Sequence, residues 1–291
     1  MKSILKWIFK YFPFKKQLFM LIRLVSNPPE RIWKHLYFIG VFSVPVLPGK
    51  KFSMMHYGYQ LENELFWKGL QAGWEKESMN LWIKLVQDAK VIIDIGANTG
   101  VYSLVAKTVN PSANVFAFEP VKRVFEKLEQ NNVLNGFDIT CESDAVSDSN
   151  GKAMFYDTPT DHIYSVTINQ NLNSPDVKVI ETKVTTITLD TYIAQKKLQE
   201  IDLIKIDVET HEAEVLRGFI QGLRQFKPTL LIEILNEKVA ADVEKIVEGM
   251  GYLFFNIDEK GGIRETANIG KSDYYNYLLC NEKVAEKLGL K

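Results

Sequence analysis

The chemistry of this chain centres on a short glycine loop and on acidic side chains at the ends of apolar runs. The run Val91, Ile92, Ile93 closes on Asp94, passes through Gly96, Ala97, Asn98 and Gly100, and resumes apolar spacing at Val101, Leu104 and Val105. That order predicts a strand, a tight turn and a helix. Glycines at such a turn admit a ligand close to the backbone, and the first helical N–H groups bring positive partial charge to the same place. Ser103, on the first turn of the helix, belongs to the same set. Beyond a second apolar run (Asn114 to Phe118) comes Glu119, 19 residues after Gly100. An acid at that strand end can take both hydroxyls of a ribose. Loop and acid together point to a bound adenosine.

Two kinds of adenosine cofactor compete for this loop. A dinucleotide site requires G-x-G-x-x-G, whose middle glycine lets the pyrophosphate approach. Here the loop reads Gly96-Ala97-Asn98-Thr99-Gly100, without that spacing and without an adjacent Arg or Lys in the sequence. A cofactor with adenosine and no phosphate fits better, and S-adenosylmethionine is such a molecule. A nucleotide-dependent oxidoreductase is the disfavoured alternative, and a catalytically silent cofactor-binding scaffold is a second.

The motifs DIGANTG, FEP (Phe118 to Pro120), KIDVE (Lys205 to Glu209) and VLRG (Val215 to Gly218) resemble the FkbM family of methyltransferases over roughly residues 75 to 235. The resemblance implies an S-adenosylmethionine-dependent O-methyltransferase acting on a hydroxyl of a sugar in a surface polysaccharide or glycolipid, or of a secondary metabolite. It implies a Rossmann-like α/β fold of class I methyltransferase type: a seven-stranded, mostly parallel sheet with helices on both faces and the last strand antiparallel. Asp144 and Ala145, after a third strand near Ile139 to Ser143, stand where the family contacts adenine; a turn or cap aspartate is the other reading of Asp144. The family usually has glycine after DVE. Thr210 stands there instead, as a candidate helix cap, followed by His211.

A hydroxyl is a poor nucleophile until its proton leaves, so a general base is expected. Glu209, His211 and Glu233 are the candidates at the strand ends, with Glu209 first and His211 second; Asp207 joins them or meets the cofactor's amino group. Imidazole has a suitable intrinsic pKa, although a helix N-terminus disfavours its protonation. Asp207, Glu209, Glu233 and Asn236 could also supply oxygen ligands to magnesium. The same acids attract a sulfonium and an ammonium without any ion, so no metal is assigned.

The elements that must position these residues follow from the rest of the chain. Its 291 residues, 46% hydrophobic, can bury one large α/β domain plus an extension. A net charge of −1 argues against a general nucleic-acid binder. Residues 1–29 nonetheless hold six basic side chains and no acidic one. Lys2, Lys6 and Lys10 recur every fourth residue among Ile4, Trp7, Ile8 and Phe9, a basic amphipathic helix up to Pro13. Its lysines interrupt every apolar run, unlike a secretory signal, and no run reaches the ~20 residues of a membrane span. Residues 1–25 therefore read as a peripheral contact with an anionic membrane at the cytoplasmic face, or as a helix packed on the main domain or on a second copy in a homo-oligomer.

Residues 1–50 are read as this extension and a proline-bearing connector, 51–90 as a cap and lead-in, and 91–291 as the cofactor-binding domain. In the cap, His56, Tyr57 and Tyr59 could reach an acceptor. Within 151–188, two extra strands around a polar loop with His162, Tyr164 and Ser165 predict an inserted β-hairpin. Cys141 and Cys280 read as free thiols.

Overall fold

The computed structural model describes residues 12–73, 75–157 and 180–291. The chain begins with α1 (Lys15–Val25) and a short turn of helix, α2 (Glu30–Trp33), then a hairpin of β1 (Gly40–Leu47) and β2 (Lys50–His56). The connector expected up to residue 50 is thus partly strand. Its Phe42, Val44 and Val46 alternate inward, and Pro45 is tolerated because β1 has β2 on one edge alone and its register shifts between Pro45 and Leu47. Two helices follow, α3 (Gln60–Lys68) and α4 (Lys76–Leu85).

The α/β body alternates β3 (Val91–Ile95), α5 (Val101–Val109), β4 (Asn114–Phe118), α6 (Lys122–Asn135), β5 (Thr140–Glu142) and the short β6 (Ala145–Val146). Next come β7 (Gly151–Asp157), β8 (Ile180–Ile187), α7 (Leu189–Lys196), β9 (Leu203–Ile206), α8 (Glu212–Arg217), α9 (Ile220–Phe226), β10 (Thr229–Glu233) and α10 (Glu237–Val247). The chain closes with β11 (Leu253–Asp258), β12 (Gly262–Thr266), β13 (Asn276–Cys280) and α11 (Glu282–Leu288).

The central sheet runs β12-β11-β13-β10-β9-β3-β4-β5, and β13 is antiparallel to both its neighbours, as expected. It has eight strands rather than seven: β12 folds back on β11 through Asp258, whose Oδ1 accepts the amides of Lys260 and Gly261. Residues along the parallel strands alternate between two cores. Ile92, Val115, Leu203 and Leu231 pack towards α5 and the N-terminal hairpin, while Ile93, Phe116, Ile204 and Ile232 pack towards α8 to α10. The predicted insertion is present as the antiparallel pair β7 and β8, with β6 beside β8; His162, Tyr164 and Ser165 lie outside the described residues.

The segment holding Val215, Leu216, Phe219 and Leu223 forms two helices, α8 and α9. All four side chains are buried, but the chain turns at Gly218, where an added Cβ would lie 2.0 Å from the Ser147 carbonyl oxygen. The hairpin is tied to the body by asparagines of α6. Asn135 exchanges two hydrogen bonds with the Ser53 backbone, and Asn131 accepts from the Met55 amide while donating to the Thr99 carbonyl in the glycine loop. The edge of β2 is thereby paired, and the loop is held from behind.

Candidate active site

A cavity of about 440 Å³ opens at the carboxyl ends of β3, β4 and β9. Its floor begins at the glycine loop. Gly96 and Ala97 donate their amides to the Phe118 carbonyl, and Gly96 has φ +78° with the Asp207 carbonyl so close that a Cβ would meet it at 1.8 Å. Only glycine fits this contact. Asn98, also left-handed at φ +53°, gives its amide to Glu119 Oε2 at 3.0 Å, and Val121 gives its own to Oε1 at 2.9 Å. Each carboxylate oxygen keeps a second lone pair for a ligand hydroxyl. Burial pushes the Glu119 carboxyl up to about 7, against those two amides and the charge of Arg123. A cation absent from the loop's own sequence is therefore supplied by α6. Asp144 and Ala145 line the same end, and burial also raises Asp144.

Asp94, Gly100 and Ser103, expected at the cofactor, do not line the cavity. Asp94 is fully buried, and its Oδ2 accepts from the amide and hydroxyl of Ser103 at 3.1 and 2.7 Å, which fixes the start of α5. Gly100 initiates that helix at φ +92°. These residues shape the loop from beneath.

The opposite end is built from charge. Lys205 Nζ, buried on β9, lies 2.8 Å from Asp207 Oδ2 and over the Tyr102 ring at 4.5 Å. Burial opposes its charge, yet Asp207, Asp94 and Glu75 outweigh that and hold the ammonium above its ordinary value. Glu75, just before α4, accepts from Tyr102 Oη and from Asn276 Nδ2, both at 3.0 Å. Burial raises its carboxyl, with Lys205 pulling the other way. Glu259, at the turn beyond β11, accepts the Glu77 and Ser78 amides and so caps α4 from across the fold. Sequence reasoning missed Glu75 and assigned no role to Lys205. The one signal was a lysine in the otherwise apolar strand.

Glu209 and His211 both line the cavity. His211 Nε2 lies 2.9 Å from Ser147 Oγ and Nδ1 3.6 Å from Glu214, and burial lowers its pKa, so the ring is neutral near pH 7. Glu233 lies behind the cavity wall. Burial, with Asp207, Glu209 and Glu212 adding to it, raises its carboxyl to about 10. It holds its proton at neutral pH and cannot accept another there. Thr210 does not cap α8; His211 occupies that position, and Glu212 Oε1 instead accepts the amides of Val208 and Thr210. Thr210 adopts φ +78°, the left-handed backbone that glycine takes readily. Asn236 caps α10 through the Val239 amide. Among the described residues no group of three or more His, Cys, Asp or Glu side chains could hold a metal ion.

The cap contributes Gln60, Leu61, Glu64 and Leu65 of α3 to the cavity roof. His56, Tyr57 and Tyr59 face elsewhere: His56 is fully buried beside Phe38 and bonded to the Gly58 amide, and Tyr57 bonds Gln130.

Residues 94–254, more than half of the chain, match the methyltransferase FkbM domain. The chain belongs to that family. It is an S-adenosylmethionine-dependent methyltransferase. It is 25% identical over 186 residues to the hexuronic acid methyltransferase AglP of Haloferax volcanii, covering 63% of this chain and 72% of that one. It is 29% identical over 152 residues to the 31-O-demethyl-FK506 methyltransferase FkbM of Streptomyces tacrolimicus, covering 44% and 58%. Among solved structures, the FkbM methyltransferase of Methylobacillus flagellatus KT superposes with a TM-score of 0.41 at 16% identity, over 66% of this chain and 44% of that one. The donors of the cavity suit the family's cofactor: a buried carboxylate with two open lone pairs for a ribose, and both signs of charge at the far end for an amino acid zwitterion.

Proposed function

We propose that this methyltransferase modifies a hydroxyl oxygen of a sugar in a surface polysaccharide or glycolipid. The observation that carries the reading is a single cavity lined both by the glycine loop with Glu119 and by the polar side chains of Glu209, His211, Glu64 and Gln60. Polar side chains of that kind suit an acceptor with many hydroxyls. The likeness to a hexuronic acid methyltransferase favours the same substrate class. A hydroxyl of a secondary metabolite is the second reading, favoured by the likeness to the 31-O-demethyl-FK506 methyltransferase.

When bound, S-adenosylmethionine supplies an electrophilic methyl group on a sulfonium sulfur. The chain's own residues then divide the work. Glu119 would hold the ribose hydroxyls, the backbone of Gly96 to Asn98 would carry the cofactor, and Asp144 with Ala145 would border the adenine. Lys205, Asp207 and Glu75 face its amino acid end. Glu209 is the first candidate to take the acceptor proton and His211 the second. Holding acceptor and methyl in line within a partly dry pocket supplies most of the rate.

The test begins with calorimetric titration of S-adenosylhomocysteine on wild type and Glu119→Ala. The expected loss on substitution is about tenfold or more in affinity, ~1.4 kcal/mol. Methyl incorporation into uronic and neutral glycosides, followed by mass spectrometry, then identifies the acceptor, and Glu209→Gln is expected to lower kcat by about a hundredfold. Absence of cofactor binding in the wild type overturns the site assignment. Turnover confined to non-sugar hydroxyls selects the second reading.

A further inference from the structure

We infer that α1 and the segment after it form a docking surface for an anionic lipid bilayer, mounted on the cap helix that roofs the active site. Thirteen large apolar side chains are exposed among the described residues, and ten of them fall between Phe12 and Ile39. On α1, Phe14, Leu18, Leu21 and Val25 are spaced as one stripe, at i, i+4, i+7 and i+11, with 39 to 85% of their surface exposed. Leu24 beside them is 81% exposed. Ile32 and Ile39 extend the apolar area past the helix. The opposite face is occupied: Phe19 is buried, stacked at 5.7 Å on Trp67, and Arg23 lies 4.7 Å over the Phe66 ring. The exposed stripe is therefore what remains after α1 has packed, and packing does not explain it.

Charge selects the occupant. Residues 12–39 contain five Lys and Arg, namely Lys15, Lys16, Arg23, Arg31 and Lys34, and the single acidic residue Glu30, whereas residues 40–291 contain 27 basic and 35 acidic side chains. A net positive, apolar surface on an otherwise acidic chain is drawn to anionic headgroups and orients this face alone towards them. Among the described residues no helix is long and apolar enough to cross a membrane, so contact is in the plane of the interface. Trp67 and Phe66 belong to α3, whose Gln60, Leu61, Glu64 and Leu65 line the cavity. One helix thus carries the bilayer anchor on one side and the acceptor chamber on the other. An acceptor attached to a membrane lipid would meet the site without leaving the surface. The surface itself stands whatever hydroxyl is methylated.

The test is co-sedimentation of the full chain with vesicles of phosphatidylglycerol or of phosphatidylcholine, with S-adenosylhomocysteine titration as a control of the folded site. Wild type is expected to bind the anionic vesicles and to dissociate in high salt. Leu21→Glu with Leu24→Glu is expected to reduce partitioning by about tenfold or more. Arg31→Glu with Lys34→Glu is expected to reduce it several-fold, and both pairs to keep cofactor affinity. Failure of wild type to bind anionic vesicles overturns the inference, as does wild-type binding by the leucine pair. A wild-type dimer that the leucine pair converts to monomers, with neither binding vesicles, assigns the surface to a second copy of the chain.

Discussion

The two ends of the cavity solve different problems by different means. At the adenosine end, backbone groups do most of the holding: left-handed Gly96 and Asn98, amides on Glu119, and Asn131 bracing the loop from behind. At the other end, side chains from three separated segments meet: Glu75 before α4, Tyr102 on α5, and Lys205 on β9 with Asp207 just after it. A backbone cradle tolerates substitutions around it, because its donors are the same in every residue. A buried charge cluster does not, because each member is solvated mainly by the others.

The largest effect expected from this contrast is at Lys205. Lys205→Met leaves the buried Asp94 and the half-buried Asp207 and Glu75 without their cation, which costs about 3 kcal/mol. Urea unfolding at pH 8 measures it. The loss should be smaller at pH 5 than at pH 8, because burial raises the Asp94 and Glu75 carboxyls and lower pH favours their neutral forms, which do not need the ammonium. Adenosine binding at the opposite end should survive within about threefold in the folded fraction. Equal loss at pH 5 and pH 8 would show that Lys205 acts through packing on Tyr102 and not through charge.

A smaller effect, about tenfold per pH unit, is expected at the adenosine end. In the proposed site Glu119 would have to be ionised to accept two ribose hydroxyls, and burial pushes its carboxyl up to about 7. Affinity for S-adenosylhomocysteine should be level above that pH and fall below it, with one proton released on binding in the falling range. The same raised value works the other way on the empty protein. Glu119 is more readily protonated folded than unfolded, so its contribution to stability is full below about pH 4.5 and is lost as pH rises through about 7. Cofactor should therefore stabilise the chain more at pH 8 than at pH 6. Calorimetry in buffers of different ionisation enthalpy reads the proton directly.

What could be read from the sequence follows the same division. The glycine loop, Glu119 and the strand ends carrying Asp207 and Glu209 are local patterns, each visible within a few residues, and family motifs fix their order. Glu75 was not legible, because its partner Asn276 lies on the far side of the sequence and an acid before a helix is ordinarily a favourable first-turn charge. The break at Gly218 depends on Ser147, and the eighth strand on a turn organised by Asp258. The β1 to β2 hairpin was obscured by Pro45, which an interior strand would exclude but this edge accepts. Asp94 and Ser103, expected at the cofactor, bond each other beneath the loop. From sequence, a residue that touches a ligand and one that fixes the loop beneath it carry the same signal.

The smallest expected effect lies where the reacting end does borrow a backbone device. Glu209 and Thr210 are consecutive left-handed residues, at φ +53° and +78°, held by Glu212 accepting the Val208 and Thr210 amides. Threonine stands at a position whose backbone glycine takes readily. A β-branched side chain in that region is strained by roughly 1 to 2 kcal/mol, offset in part because glycine gives the unfolded chain more freedom. Thr210→Gly should thus stabilise the protein by about 1 kcal/mol, read from the urea midpoint at unchanged slope, with cofactor affinity unaltered. Thr210→Ala keeps the Cβ and the strain while removing the branch, so it should gain less. If glycine destabilises instead, the threonine is supporting the path of Glu209, and the reacting end depends on side chains even where its backbone bends.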